Sequence, residues 1–183
     1  MMLIEFVCYF SQVVRFTPIV IGFCVLLFQA AQGADQQRLS VVDYFLLLPP
    51  NTFEGQQPWL EIMKEPGGGL IDTANGYSRC TGDGAQPAFQ VALFRFADGR
   101  SLLAVSSGEL EGPDSVFLEF YELGRDRRMH KVSRKIFPVP DGDNREFILP
   151  EKGRIVVVKE GKKGKISRRF EWDGTRFLLK EKG

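Results

Sequence analysis

The stretch that decides the fold is AFQVALFRFADGRSLLAVSS, residues 88–107. Its two ends are rich in the aromatic and branched side chains that favour strands. Between them stands Asp98-Gly99, a pair typical of two-residue hairpin turns because glycine accepts a positive φ without strain. That turn sets Phe94 opposite Leu103. The stretch therefore predicts an antiparallel hairpin.

A second hairpin is predicted at the carboxyl end of the chain. Residues 166–172 alternate between aromatic or aliphatic and polar side chains, and Asp173-Gly174 follows as the turn. Pairing about a two-residue turn sets Phe170 opposite Phe177. We expect Phe170, Trp172 and Phe177 in the core.

The segments between the two hairpins extend the same pattern. Residues 116–123 alternate, with Leu118 and Phe120 on one face, and residues 154–159 are apolar on both faces, which indicates a central strand. Helical crossovers are missing, which argues against a parallel α/β sheet. Residues 70–182 are therefore expected to form a mainly β body: an antiparallel sandwich, or an open barrel or meander built from hairpins.

Residues 34–66 are expected to add one or two short helices as an arm or cap on this body. Residues 35–48 have helical spacing of apolar side chains, although 46–48 also suit a buried strand. A second short helix is predicted after Pro58, because proline is favoured in the first turn of a helix.

The amino-terminal segment indicates export. Residues 17–28 (TPIVIGFCVLLF) are uncharged, and Ala31-Gln32-Gly33 has the small-x-small pattern of a cleavage site. We therefore expect residues 1–33 to be a signal peptide and 34–183 a single β-rich domain, periplasmic or extracellular, with no transmembrane segment after cleavage. The alternative is a retained anchor, but Arg15 divides the apolar run into pieces shorter than a membrane span.

The residues for catalysis or metal binding are sparse. His130 is the one histidine of the chain, so a His-rich zinc site is excluded, and no G-x-S-x-G elbow is present. Cys80 is the one cysteine after residue 33 and is interpreted as a buried side chain rather than a thiol that pairs between chains. Asp141-Gly142-Asp143-Asn144 suits an exposed turn better than a calcium loop. No catalytic residue, cofactor or metal is predicted.

Charge divides the chain into two halves. Residues 34–123 hold 5 Lys+Arg and 13 Asp+Glu, a net of −8, whereas residues 124–183 hold 18 and 9, a net of +9. Such asymmetry indicates an anionic partner, unless the two halves neutralise each other in the fold. The candidate anion-binding surface comprises Arg127, Arg128, Lys131, Lys162, Lys163, Lys165, Arg168 and Arg169.

One segment resembles a known family. Residues 108–121 (GELEGPDSVFLEFY) are similar to the central segment of periplasmic invertebrate-type lysozyme inhibitors. The resemblance implies a small exported β protein of the inhibitor class. The Ser-Gly before a regularly spaced Tyr that marks that family is not reproduced, so no site residue is carried over.

Two functions follow as expectations. The first is an exported, non-enzymatic binding or inhibitor-type module whose partner is a protein or an anionic polysaccharide or lipid surface, not a nucleic acid. The alternative is a hydrolase that cleaves cell-wall or other polysaccharide through two carboxylates, whose pairing depends on the fold and not on sequence spacing.

Overall fold

Two antiparallel meanders make up most of the described part of the chain. A computed structural model describes residues 39–182, apart from 54, 83–87, 108–116, 143–144 and 162–165. The predicted signal peptide lies outside the described residues. The strands are β1 (Gly69–Asp72), β2 (Tyr77–Cys80), β3 (Phe89–Arg95), β4 (Ser101–Ser107), β5 (Phe117–Leu123), β6 (Met129–Lys131), β7 (Arg145–Ile148), β8 (Ile155–Glu160), β9 (Ile166–Trp172) and β10 (Phe177–Lys182).

The strands form two open sheets. Sheet A has the order β1-β2-β3-β4-β5-β6, and sheet B has the order β10-β9-β8-β7. Every pairing is antiparallel. The mainly β fold class predicted from the sequence is confirmed, and β8 is an interior strand as its apolar run indicated.

Two short helices precede the sheets, α1 (Val41–Leu46) and α2 (Gln57–Lys64). Helix α1 begins with a capping box, in which the Ser40 hydroxyl accepts a hydrogen bond from the Asp43 amide and the Asp43 carboxylate accepts one from the Ser40 amide. Pro58 lies in the first turn of α2, as predicted. Residues 46–48 are not a strand, because Leu46 still belongs to α1.

The first hairpin has a longer loop than the sequence indicated. Phe94 lies opposite Leu102, not Leu103. Gly99 takes φ +87° as the third loop residue, and its amide donates to the Phe96 carbonyl at 3.0 Å. A turn closed by a left-handed glycine adds one residue to the loop, so the register moves by one position.

The register of the last hairpin also differs from the prediction. Phe177 lies opposite Trp172, not Phe170. The Asp173 carboxylate accepts hydrogen bonds from the amides of Thr175 and Arg176, at 2.7 and 2.9 Å, and this side-chain turn lengthens the loop. The register moves by two positions, so every side chain keeps its face. Phe170, Trp172 and Phe177 are buried, as predicted.

Apolar side chains form two cores, one on each face of sheet A. The first lies between the sheets and contains residues such as Phe94, Phe120 and Trp172. The second joins the other face of sheet A to α1 and α2 through residues such as Phe45 and Trp59. The described residues therefore form three layers: helices, sheet A, sheet B. Every residue of β4 is buried, since this strand has a core on both sides.

The described part of the chain contains no helix that is both long and apolar enough to cross a membrane.

Candidate anion-binding sites

The predicted cationic residues are distributed over separate elements. Arg127 and Arg128 are exposed in the turn between β5 and β6, and Lys131 on β6 forms an ion pair with Glu119. Arg168 and Arg169 follow each other on β9 and therefore lie on opposite faces of sheet B. The remaining three, Lys162, Lys163 and Lys165, lie outside the described residues, in the connection between β8 and β9.

Lys131 belongs to a small polar group on the helix-facing side of sheet A. Its ammonium bonds the Glu119 carboxylate, which also accepts a hydrogen bond of 2.5 Å from the Tyr121 hydroxyl. Burial, together with the hydrogen bond to Glu119, raises the pKa of Tyr121 to about 12. The tyrosine therefore stays neutral and donates, and Lys131 is neutralised by its neighbour.

Arg168 belongs to a different cluster, the arginine mouth, at the end of sheet B where β8 passes into β9. Glu160 Oε1 accepts a hydrogen bond from Arg145 Nε at 2.8 Å and from Arg168 Nη2 at 2.5 Å. The Asp141 carboxylate bonds Arg134 Nη2 at 3.1 Å, and the Asp141 carbonyl accepts from Arg145 Nη1 at 3.3 Å. The three arginines and the two acidic residues thus form one chain of contacts, in which Arg145 reaches Asp141 through the main-chain carbonyl. We use arginine mouth for the five residues Arg134, Asp141, Arg145, Glu160 and Arg168.

The arginine mouth covers the edge of the core between the sheets. The Arg134 guanidinium lies 5.0 Å from the ring centroid of Phe137 and 5.4 Å from that of Phe147. The Arg168 guanidinium lies 5.7 Å from the ring of Phe170, which itself contacts Phe137 at 5.0 Å between centroids. Contacts between guanidinium groups and aromatic faces are attractive. The two arginines therefore cap the same aromatic cluster.

Burial and pairing set the charge states of the mouth. Burial lowers the pKa of Arg134, and Asp141 acts against this shift, so the guanidinium remains a cation at neutral pH. Burial works to raise the pKa of Glu160, but the hydrogen bonds from Arg145 and Arg168 outweigh it and hold that pKa below the ordinary value of 4.5. Glu160 is therefore ionised at neutral pH, and the mouth combines three guanidinium groups with two acidic side chains.

Two nitrogen atoms of the mouth have no acceptor. The Nε atoms of Arg134 and Arg168 are buried and make no hydrogen bond among the described residues. Each of the three arginine side chains is about three-quarters buried, with exposed fractions of 25% for Arg134, 28% for Arg145 and 26% for Arg168. The two unpaired Nε atoms are themselves buried, so a dissolved anion can approach these side chains only at their exposed quarter.

The outer face of sheet B is a second surface of interest. Alternation along the strands places Ile148, Ile155 and Val157 on the side opposite the core, and all three are half-buried. Leu178 on the edge strand is 43% exposed on the same face. The charged members of this face are Lys159 paired with Glu146, Lys180 paired with Glu171, and Arg169. No described element covers it, whereas α1 and α2 cover the outer face of sheet A.

His130, Cys80 and Asp141 are described residues whose types could serve catalysis or metal binding. His130 Nε2 lies 2.9 Å from Asp126 Oδ1 in an exposed turn. Cys80 is buried in the core beneath the helices, as predicted. In the predicted acidic turn, Asp141 bonds Arg134 and the Leu118 amide, while residues 143–144 lie outside the described part. Among the described residues, no group of three or more His, Cys, Asp or Glu is arranged to hold a metal ion.

Comparison of the chain with protein-family models, curated proteins and solved structures gives no match. The resemblance of residues 108–121 to lysozyme inhibitors therefore stays a prediction, and residues 108–116 of that segment lie outside the described part of the chain.

Sequence reasoning missed Arg145 and Glu160 as members of a site. Arg145 lies outside the basic runs, and Glu160 is an acidic residue within one of them; only the pairing of β7 with β8 sets the two side by side. Arg134 and Arg168 lay within the basic runs, but nothing local indicated that both would be buried against phenylalanine rings. One signal could have indicated the arginine mouth. Every second side chain of β9 faces the core, and Arg168, two residues before Phe170, is a cation on that inward-facing side.

Proposed function

We propose that the protein is an exported, non-enzymatic binding module that engages an anionic partner through the outer face of sheet B and the β8–β9 connection. The observation that carries the proposal is the contrast between the two outer faces. Helices occupy the face of sheet A, whereas the face of sheet B is left uncovered by described residues and mixes aliphatic side chains with cations.

Charge supports the choice of an anionic partner. Residues 145–182, which contain all of sheet B, hold 12 Lys+Arg and 6 Asp+Glu, a net of +6. A surface with an excess of one sign raises the local concentration of oppositely charged polymers and speeds their capture. Outside the cytoplasm, the anionic partners available are acidic polysaccharides, surfaces of acidic lipid and acidic proteins. Export itself is supported by the uncharged run 17–28 and the site at residues 31–33.

Retention on an acidic polysaccharide tests the proposal. The purified protein should bind a heparin-type column at low salt and elute as salt is raised, because the Debye length falls from about 10 Å at 0.1 M to about 3 Å at 1 M. Lys162→Glu combined with Lys163→Glu and Lys165→Glu should elute much earlier. The control is Lys64→Glu, an exposed residue on α2 that pairs with Glu61.

Two outcomes would overturn the proposal. One is passage of the unmodified protein through the column at low salt, which would mean that its charges are internally balanced. The other is equal loss of retention by the triple variant and by Lys64→Glu. Vesicles of acidic lipid, used in parallel, separate a lipid surface from a polysaccharide. Turnover of any glycan, abolished by one Asp or Glu substitution, would instead favour the hydrolase alternative.

The intact mass of the native protein tests export. The expected mass corresponds to residues 34–183. A mass that includes residues 1–33 would contradict cleavage and favour the retained anchor.

A further inference from the structure

We propose that the arginine mouth is a binding site for one oxyanion group, such as a carboxylate, sulfate or phosphate. The site lies on the core-facing side of sheet B and is therefore distinct from the outer face on which the proposed function rests. Neither proposal requires the other. The charge balance, the unused donors and the geometry of the mouth support this site.

Among the described residues, the mouth holds one more cation than anion. Arg134, Arg145 and Arg168 contribute three positive charges, and the two carboxylates contribute two negative charges. Because each arginine side chain is about three-quarters buried, an unmatched positive charge there is partly desolvated and is costly unless an anion compensates it. One bound carboxylate would make the cluster neutral, and one doubly charged sulfate would leave it with a net charge of −1.

The donors needed to hold an oxyanion are available. A guanidinium has five N–H donors in a planar fork. Arg168 uses one nitrogen, Nη2, for the single described acceptor Glu160. Arg145 directs Nε and Nη1 to protein acceptors, and Nη2 makes no hydrogen bond with a described residue. Since both arginines bond the same oxygen of Glu160, their guanidinium groups are near neighbours.

This arrangement matches the geometry that oxyanions prefer. Guanidinium groups bind carboxylates, sulfates and phosphates through two parallel N–H···O bonds, and a lysine ammonium in the same place cannot reproduce the fork. Glu160 holds the two guanidinium groups in place from the protein side, and the phenylalanine rings beneath Arg134 and Arg168 limit their movement. The donors are thus ordered before any ligand arrives, which lowers the entropic cost of binding.

The competing explanation is that the arginines only close the aromatic core. That role requires the contacts with the phenylalanine rings and the pairs with Asp141 and Glu160, but no ligand. It predicts no difference between oxyanions and chloride beyond ionic strength.

The test uses the full chain and measures the thermal midpoint and the heat of binding with sodium sulfate, phosphate, acetate or chloride at matched ionic strength. Millimolar concentrations avoid the general stabilising effect of excluded salts. At least one oxyanion should raise the midpoint in a saturable, one-site manner, whereas chloride should not. The oxyanion that binds most tightly identifies the chemistry of the group.

Arg168→Lys is the informative variant, because it keeps the charge and loses the fork. Its affinity for the oxyanion should fall about tenfold or more, the effect of losing one charge-assisted hydrogen bond. Arg176→Lys, in the turn at the opposite end of sheet B, is the matched control and should bind as the unmodified protein does. Circular dichroism confirms that both variants are folded, and Arg145→Lys replaces Arg168→Lys if the latter is not.

Two results would overturn the site. Equal effects of all four salts at matched ionic strength would leave the arginines with the capping role alone. Equal affinities of Arg168→Lys and Arg176→Lys would place the bound anion elsewhere. Retention on the polysaccharide column should be unaffected by Arg168→Lys, which keeps this test separate from that of the proposed function.

Discussion

Replacing Trp172 by alanine should be among the most damaging single changes to this protein. The indole is fully buried between the sheets and contacts Phe96 and Phe177, with centroids 5.2 and 4.9 Å away. Removing a buried tryptophan costs about 3–5 kcal/mol. Trp172 Nε1 also donates to the Arg95 carbonyl at 2.6 Å, and losing a partly buried hydrogen bond of this kind costs about 0.5–1.5 kcal/mol. We therefore expect Trp172→Ala to lie toward the upper end of the first range.

Urea unfolding followed by far-ultraviolet circular dichroism measures this cost, provided that the slope m is unchanged. Trp172→Phe keeps an aromatic ring but loses the hydrogen bond, and should cost about 0.5–1.5 kcal/mol. Leu178→Ala in the same hairpin is the control, since Leu178 is 43% exposed and should change stability by about 0.5 kcal/mol or less. A cost of less than about 1 kcal/mol for Trp172→Ala would show that the ring is not in the core and would refute the assigned pairing of β9 with β10.

Three further perturbations have expected outcomes. Ser40→Ala removes the hydroxyl of the capping box and should lower the free energy of unfolding by about 1 kcal/mol, measured by urea titration, whereas no loss would mean that the box is not formed in solution. Glu160 has a folded pKa below its ordinary value of 4.5, so its stabilising contribution is present above pH 4.5 and is lost as the pH falls through the folded pKa. Glu160→Gln should therefore flatten the decline of stability in acid, and an unchanged acid limb would contradict the assigned pairs with Arg145 and Arg168. Cys80 is fully buried, so a thiol reagent should modify it slowly in the native protein and rapidly in urea, and rapid native modification would contradict its place in the core.

The core of this protein could be predicted because alternation along a strand survives errors in register. Trp172 and Phe177 were assigned to the interior from period-two spacing alone, and they remain there although the last hairpin is two positions out of the predicted register. The first hairpin is one position out of the predicted register, so Phe94 and Leu103 lie on opposite faces of sheet A and not on the same face. Because β4 is buried on both sides, Leu103 moves from one core to the other and not to solvent.

The registers themselves depended on loop details that the sequence indicates only weakly. An Asp-Gly pair suits a two-residue turn, but the same glycine can close a three-residue loop, as Gly99 does. Asp173 instead folds its carboxylate back onto the amides of the turn. The arginine mouth could not be predicted from the sequence, because its members come from the segment before β7 and from β7, β8 and β9. Only the combined registers of sheet B bring them together.

The charge asymmetry of the chain follows the layers of the fold. Residues 34–123, with their net of −8, contain β1–β5 of sheet A, and residues 124–183, with their net of +9, contain β6 and all of sheet B. If the two halves neutralised each other, ion pairs would cross between them. Among the described residues, Lys131–Glu119 is the one ion pair that does so, whereas pairs such as Arg145–Glu160 and Lys180–Glu171 join residues of the basic half.

Most described ion pairs of the basic half join its cations to carboxylates of the same half. Residues 124–183 hold twice as many cations as anions, 18 against 9, so internal pairing leaves a positive excess on that half. Among the described residues, sheet A contributes one ion-pair partner to the basic half, Glu119. The proposed binding of a polymer on the outer face and of one oxyanion in the arginine mouth are two consequences of the same imbalance. They differ in screening, since salt weakens exposed pairs strongly and half-buried, hydrogen-bonded pairs much less. Polymer retention should therefore be lost at salt concentrations at which the mouth still binds its oxyanion.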